Sequence, residues 1–199
     1  MTWAPAYCEA DELAGWLGID EDPELALAIE AASRAIDQAC GRQFGVVDEP
    51  EPRFYEPQWH RNHWYLDVDD LMTDESLAIE TVDISGAVVN TLSGVLTPRN
   101  AAPVGKPWRR IELAPGSPVR GDFVRVTAKW GWTNVPGAII LATKIQAGRW
   151  YARRENVGGP LTLHEVDDVR YGWAAGQNTD LDSDVLASIA PYRKLWVAV

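Results

Sequence analysis

The stretch from Phe123 to Arg154, FVRVTAKWGWTNVPGAIILATKIQAGRWYARR, restricts the fold of this chain more than any other. It alternates apolar and polar residues as a strand does, turns at Gly131, and repeats apolar residues at helical spacing after Pro136. It contains no nucleophile motif, metal-ligand cluster or phosphate-binding loop. The stretch therefore predicts a strand followed by a helix, in a chain that works through its shape and its contacts.

Composition places the chain among ordinary globular proteins. Its 199 residues fit one domain, or a small core carrying an insertion, and a hydrophobic content of 46% excludes general disorder. No apolar run approaches the roughly 20 residues that a membrane helix needs, and the first residues lack the pattern of a signal peptide, so we expect a soluble protein made in a cytoplasm. Cys8 and Cys40 match no zinc or redox spacing, which predicts buried free thiols.

The net charge of −11 is concentrated near the start of the chain. Residues 1–51 hold twelve acidic and two basic side chains, whereas 52–133 hold ten and nine, and 134–199 hold seven of each. Because neutralising phosphates requires Lys and Arg, the acidic first segment argues against a surface that grips nucleic acid. It suits a solvated surface, or a wall past which DNA slides without sticking.

Helical patterns open the chain. Residues 10–17 predict a short helix with Leu13, Trp16 and Leu17 on one face. Asp22-Pro23-Glu24 predicts the start of a second helix, with an N-cap, a proline at the first helical position and an acid in the first turn. This helix ends at Gly41 or Gly45 and has an apolar stripe at helical spacing: Leu25, Ile29, Ala32, Ile36 and Ala39.

From Val46 the pattern changes to short alternating runs separated by Gly, Pro, Asn and Asp. These runs predict a small antiparallel meander or barrel with strands at 53–55, 64–68, 77–82, 87–92, 108–113 and 123–130. Residues 97–107 predict an exposed loop. Helical spacing returns from 137 to about 154, residues 161–180 predict an extended arm or hairpin, and 182–190 predict a last short helix on a Ser/Asp cap.

These patterns together predict an α+β fold. We expect a small helical bundle core formed by residues 1–51 and 134–199, an inserted antiparallel β-rich subdomain at 52–133, and an extended C-terminal segment. The helices on either side of the insertion must pack together to bury their apolar stripes.

Two segments have the side chains of a metal site, and each has a simpler interpretation. LDVDDLMTDE, from Leu66 to Glu75, has five carboxylates but lacks the Gly and closing Glu of a calcium loop, and its alternation is typical of a half-buried strand entering a turn. His60 and His63 have zinc-compatible spacing without further ligands nearby, so a surface loop is favoured. We assign no catalytic, cofactor-binding or metal-binding residue and expect no enzyme.

The densest basic cluster lies on the helix predicted after Pro136: Lys144, Arg149, Arg153 and Arg154. It is a candidate patch for DNA or for an acidic partner surface, including the acidic first segment of a neighbouring copy. A solvated helix face explains the same residues equally well.

Ten tryptophans are many for this length. Those in apolar patterns are predicted to lie in the core: Trp16, Trp130, Trp132 and Trp150. Those in polar surroundings are predicted to lie at an interface, where tryptophan is common: Trp59, Trp64, Trp108 and Trp196.

Taken together, the chain resembles the head–tail connector (adaptor) proteins of long-tailed siphophages. The resemblance keeps the order of segments over nearly the whole chain and is weakest between about 83 and 121. It depends on YCEADELAGWLGI, LALAIEAASRAIDQACGRQFG, LDVDDLMT, VRVTAKWGW with VPGAI, ATKIQAGRWYARR and DSDVLASIAPYR. Each of these motifs is structural, and their combination gives the specificity.

The resemblance implies a non-enzymatic virion protein of the neck, assembled in the host cytoplasm without a membrane or cofactor. Copies would form a ring, in this family usually dodecameric, between the portal protein and a stopper or tail-side protein, and genomic DNA would pass through the ring without sequence-specific binding. The apolar end of the sequence would then be a portal or subunit interface formed by Tyr192, Arg193, Lys194, Leu195, Trp196 and Val197.

Two other functions remain open at this point. One is a stopper or tail-completion protein of the same neck. The other is a Trp-rich carbohydrate-binding module that uses Trp59, Trp64 and Trp108 as stacking platforms.

Overall fold

A computed structural model describes residues 4–119, 123–153, 164–166, 169–171 and 181–194. The chain divides into two units. One comprises residues 4–43 and 135–199 and is mainly helical, and the other comprises 44–134 and is β-rich. The predicted α+β class is confirmed, because the described residues form four α-helices and two antiparallel sheets of four strands each.

The helical unit contains α1 (Ala10–Leu17), α2 (Pro23–Cys40), α3 (Gly137–Arg153) and α4 (Ser183–Ile189), which continues into a 3₁₀ turn at Ala190–Tyr192. It also contains a short hairpin of β9 (His164–Val166) and β10 (Val169–Tyr171), within the region predicted as an arm or hairpin. The core of α1, α2 and α3 is formed by Cys8, Leu13, Ala14, Leu25, Ile29, Ala32 and Ala147.

The ends of α2 follow the sequence signals closely. The Asp22 carboxylate accepts a hydrogen bond from the backbone N–H of Glu24, and Pro23 is the first helical residue. Gly41, at φ 64°, ends the helix. Its left-handed backbone lets its own N–H donate to the last helical carbonyls, those of Asp37 and Gln38. Cys8 and Cys40 are both free and buried, as predicted.

The β-rich unit contains one sheet in the order β1 (Glu51–Tyr55), β8 (Phe123–Ala128), β4 (Ala78–Val82) and β5 (Val88–Leu92). Its second sheet has the order β2 (Gln58–His60), β3 (His63–Leu71), β7 (Trp108–Leu113) and β6 (Gly94–Thr97). A single core takes residues from both sheets, including Leu66, Ile111, Val126 and Trp130. The residue between β5 and β6 is Ser93 alone, so one chain segment passes from the first sheet to the second.

The β-rich unit begins at Phe44, eight residues before the boundary placed at 52. The Phe44 ring packs 5.2 Å from the Trp132 ring, and the backbone N–H of Val47 donates to the Trp130 carbonyl at 3.0 Å. The prolines at 50, 52 and 57 predict a domain boundary later in the chain. Pro52 nevertheless lies inside β1, because β1 is an edge strand and an edge strand tolerates a residue without a backbone N–H.

The prediction that Trp16 belongs to the core is wrong, because the residue is 51% exposed. Leu13 and Ala14 are the buried residues of α1. Viewed down the helix axis, Ala14 lies to one side of Leu13 and Trp16 lies to the other, so Trp16 is turned away from the buried pair. Its ring edge instead approaches Gly148 of α3, with a ring carbon 3.5 Å from where a Cβ would stand. Trp130 and Trp132 are buried as predicted, and Trp150 is partly buried.

Candidate functional site

The predicted basic cluster occupies two different faces of α3. Arg149 and Arg153 are four residues apart and share a face, whereas Lys144 is rotated from Arg149 by about 140° at 3.6 residues per turn. Lys144 Nζ lies 2.9 Å from a carboxylate oxygen of Glu12 on α1. Arg154 lies outside the described residues. The three described cations therefore do not form one continuous patch.

The two arginines face the carboxylates at the start of α4. Arg149 donates to both carboxylate oxygens of Asp184, at 2.7 and 2.6 Å, and to Asp182 at 3.1 Å. Arg153 donates to the other oxygen of Asp182 at 3.1 Å. Hydrogen bonding to Arg149 lowers the pKa of Asp184 to about 2, and the same hydrogen bond raises the pKa of Arg149 above its ordinary value. Each described cation of the cluster thus has a carboxylate partner in its own unit.

Asp182 precedes α4, where the sequence predicted a capping residue, but its side chain makes no capping hydrogen bond. It is held instead by Gln146, which is completely buried on α3. The Gln146 side-chain carbonyl accepts from the Asp182 backbone N–H at 2.9 Å, and its amide donates to the Asp182 carboxylate at 3.3 Å. Gln146 was not among the predicted site residues, although a polar residue on the buried stripe of a helix is a signal that the sequence carries.

A second polar cluster, also missed, joins the first described residues to α2. The Tyr7 hydroxyl donates to the Asp37 carboxylate, and the Tyr7 backbone N–H donates to the Ser33 hydroxyl at 3.1 Å. Arg34 contacts Asp37 at 3.1 Å and donates to the carbonyls of Ala4 and Pro5 at 2.7 Å each. Burial raises the pKa of Asp37 to about 6, although the Tyr7 hydroxyl and the Arg34 charge oppose that shift.

The predicted interface segment is described only in part. Tyr192 ends the 3₁₀ turn after α4, Arg193 has an extended backbone at φ −63° and ψ 134°, and the Lys194 backbone N–H donates to the Cys40 carbonyl at 2.7 Å. Leu195, Trp196 and Val197 lie outside the described residues. The described half is therefore anchored at the end of α2, and its role as an interface stays a prediction.

The tryptophans proposed as stacking platforms do not share one surface. Trp59 and Trp64 are paired across β2 and β3 with ring centroids 4.9 Å apart, edge to face, and 56% of Trp59 is exposed. Trp108 is paired with Leu71, seven residues farther along β3 than Trp64, which is about 20 Å at strand spacing. Trp64 and Trp108 also pack partly against the core. The three tryptophan rings therefore do not form one flat surface on which a single sugar chain could stack.

The two segments considered for metals have structural roles. His60 and His63 are paired across the tight turn between β2 and β3, in which Arg61 and Asn62 both have positive φ, as in type I′ hairpins. Leu66 to Leu71 belong to β3, and Asp70 accepts a hydrogen bond from the Trp132 indole. Within the described residues, no group of three or more His, Cys, Asp or Glu side chains could hold a metal ion.

No family model matches the chain, and no curated protein sequence aligns with it significantly. Among the described helices, none combines the length and the apolar character that a membrane span requires.

Proposed function

We propose that this chain is a head-to-tail adaptor of a phage virion, a structural protein of the neck. Copies form a ring, taken as dodecameric from the resemblance, beneath the portal protein. The ring extends the DNA channel and gives the stopper or tail-side protein a surface on which to dock. It assembles in the host cytoplasm, and its mechanism is geometric rather than catalytic.

The observation that carries this proposal is where the resembling residues lie. The resembling motifs at 7–19, 25–45, 135–139, 142–154 and 182–193 cover most of α1, α2, α3 and α4. The motifs at 66–73 and 124–132 lie in the β-rich unit, so most but not all of the resembling residues fall in the helical unit. The least similar segment, 83–121, lies entirely in the β-rich unit. An adaptor with a family-like helical framework and a β-rich unit that diverges mainly between 83 and 121 accounts for that division.

The charge distribution supports a channel wall with little affinity for DNA. Residues 4–43 contain nine acidic and two basic side chains. The three described cations of α3 face Glu12, Asp182 and Asp184, so their charges are largely compensated before any phosphate approaches. Weak, non-specific contact with DNA is what such a surface offers.

Negative-stain electron microscopy of the purified protein, alone and mixed with the portal protein of the same phage, tests the proposal. Rings of the protein, or added density beneath portal rings, are expected. A protein that stays monomeric and leaves portal rings unchanged would overturn the adaptor function. Binding to tail-side components by a protein that ignores the portal would instead identify a stopper or tail-completion protein.

A further inference from the structure

Acidic and basic side chains are separated along this chain. Residues 4–33 contain eight acidic side chains and no basic one, whereas residues 84–111 contain four basic side chains and no acidic one. The first segment includes α1 and the first part of α2 in the helical unit, and the second lies in the β-rich unit. Every copy therefore carries two surfaces of opposite charge.

The basic surface is the loop that leads into β7, residues 99–109, called here the basic loop. Arg99, Lys106 and Arg109 are exposed, and within the described residues none of them forms an ion pair. Val104 lies between the first two of these cations and is 64% exposed. The N–H groups of Val104 and Lys106 donate to the carbonyl of buried Ala101 at 3.1 and 3.0 Å, so the loop has a fixed shape.

The acidic surface is the exposed side of α2 near its N-terminus, called here the acidic face. Glu24, Leu27 and Glu30 are spaced three residues apart and are neighbours on the helix surface, and Asp20 and Glu21 lie just before the helix. All five residues are exposed, Leu27 to 61%. Within the described part of the chain, their four carboxylates have no cation partner. The acidic face therefore has the composition of the basic loop, an exposed apolar residue between like charges, with the opposite sign.

We propose that the basic loop of one copy docks on the acidic face of a second copy. Arg99 and Lys106 pair with the carboxylates, and Val104 contacts Leu27. The inference rests on the proposed function in one respect, since it supplies a contact between neighbouring copies of the ring.

The match in both charge and apolar character selects a second copy as the occupant. A DNA phosphate would pair with the cations of the basic loop, but it would leave the exposed Val104 against a charged backbone. The acidic face offers carboxylates for the cations and Leu27 for the valine. An apolar centre with a charged rim on each side is the usual arrangement of a protein interface.

The contact is heterologous, because a loop on one copy meets a helix face on the next. Heterologous contacts propagate, and they close into a ring when the rotation between copies allows. The basic loop lies within 83–121, where the resemblance is weakest, so this contact belongs to this chain rather than to the framework that it shares. In the ring the cations of the loop are covered by carboxylates, which agrees with a wall that holds DNA weakly.

Reversing charges on the two surfaces of the full chain tests the inference. A loop variant carries Arg99→Glu and Lys106→Glu, and a face variant carries Glu24→Lys and Glu30→Lys. Each variant alone brings like charges together in every contact, which should raise the dissociation constant of self-association at least about tenfold. Sedimentation velocity over a range of concentrations measures it.

An equimolar mixture of the two variants should restore self-association. The acidic loop of the loop variant docks on the basic face of the face variant, and the two unchanged surfaces dock on each other. Net charge does not explain this recovery, because the loop variant is four charges more negative than the wild type and the face variant four charges less negative. Arg61→Glu, at an exposed cation in the turn between β2 and β3, is the positional control and should leave association unchanged.

Three results contradict the inference. One is a mixture that associates no better than either variant alone, and another is a wild type that stays monomeric at every concentration. The third is a loop variant that keeps its self-association but loses affinity for duplex DNA, because the partner of the basic loop would then be phosphate.

Negative-stain electron microscopy of the same samples separates this inference from the proposed function. Rings that persist in both variants would overturn the loop contact and leave the adaptor function standing. Association that is restored in the mixture, by a protein that forms no ring and ignores the portal, would support the contact and overturn the adaptor function.

Discussion

The indole N–H of Trp132 donates a hydrogen bond to the Asp70 carboxylate at 2.9 Å, and both side chains are buried in the β-rich unit. The two residues are connected a second time, because the backbone N–H of Gly131 donates to the Asp70 carbonyl at 2.7 Å. Asp70, one of the five carboxylates in the segment considered for calcium, is therefore a structural acceptor. It ties the end of β3 to the turn after β8.

Replacing Asp70 by Ala should lower the free energy of unfolding of the β-rich unit by about 2 kcal/mol, since a buried donor loses a charged acceptor. Asp70→Asn, which keeps a carbonyl oxygen, should cost less. Urea denaturation followed by circular dichroism measures both. Asp67→Ala on the same strand is the control, because its ion pair with Arg110 is half-exposed and should be worth less than about 1 kcal/mol. An equal loss from the two alanine variants would contradict the structural role of Asp70.

Gly94, where β6 begins, lies too close to β7 for any side chain. A Cβ at this position would stand 2.6 Å from Ile111 Cγ2 and 2.9 Å from the Glu112 carbonyl oxygen. Gly94→Ala should therefore destabilise the protein by about 1–3 kcal/mol, because the backbone of β7 would have to move. The thermal unfolding midpoint is the measurement. Gly15→Ala within α1, where a Cβ meets no atom within 4 Å, makes the same chemical change and should instead stabilise by about 0.5–1 kcal/mol.

Asp37 should make the helical unit less stable as the pH rises. Its folded pKa of about 6 exceeds the ordinary value of 3.8, so between these values the folded chain retains a proton that the unfolded chain has released. The contribution of this group is full below pH 3.8 and is lost as the pH rises through about 6. Between pH 4.5 and pH 7.5, this group should lower the free energy of unfolding by about 2 kcal/mol. Unfolding free energies at pH 4.5 and 7.5 measure it.

Asp37→Asn removes the titrating group and should flatten this dependence on pH. Asp20→Asn, at an exposed position between α1 and α2, is the matched control and should keep the wild-type dependence. If Asp37→Asn and the wild type lose stability equally between the two pH values, the raised pKa of Asp37 is not the cause.

Local signals predicted the helices well. The N-cap, the proline and the closing glycine of α2 act within one helical turn, so they can be recognised without knowing the fold. The strands β2 and β6 were missed because they are three and four residues long and depend on pairing with distant partners. Trp16 was misplaced for a similar reason. Helical spacing gives a face, but the neighbouring helices decide how wide the buried part of that face is.

The sequence identifies the charged residues of the candidate site, but it does not show which of them contact one another. The cations on α3 are visible in the sequence, yet their partners lie 29 to 35 positions away at Asp182 and Asp184, or on α1 at Glu12. Only the fold shows that these charges compensate one another. Asp37 and Tyr7 likewise meet across 30 positions, and no spacing rule connects them.

Gln146 should control the docking of α4. Gln146→Ala leaves the backbone N–H of Asp182 without its acceptor and opens a small cavity, which should cost about 2–3 kcal/mol. Hydrogen exchange should then accelerate in α4 more than in α2. Gln38→Ala, at an exposed position of α2, should change stability by no more than about 0.5 kcal/mol. Unchanged exchange in α4 after Gln146→Ala would show that other contacts hold this helix.

The compensated cations of α3 also predict how the protein behaves toward DNA. The wild type should bind duplex DNA weakly at physiological salt, since Arg149 and Arg153 are held by Asp182 and Asp184. Asp184→Asn removes one of these carboxylates and should strengthen binding, and the slope of log affinity against log salt should steepen by about one. Fluorescence anisotropy of a labelled duplex at several salt concentrations measures both. Glu112→Gln makes the same charge change on β7 of the other unit and should have a smaller effect. Tight binding by the wild type would contradict a channel wall past which DNA slides, because the DNA would then be held during passage.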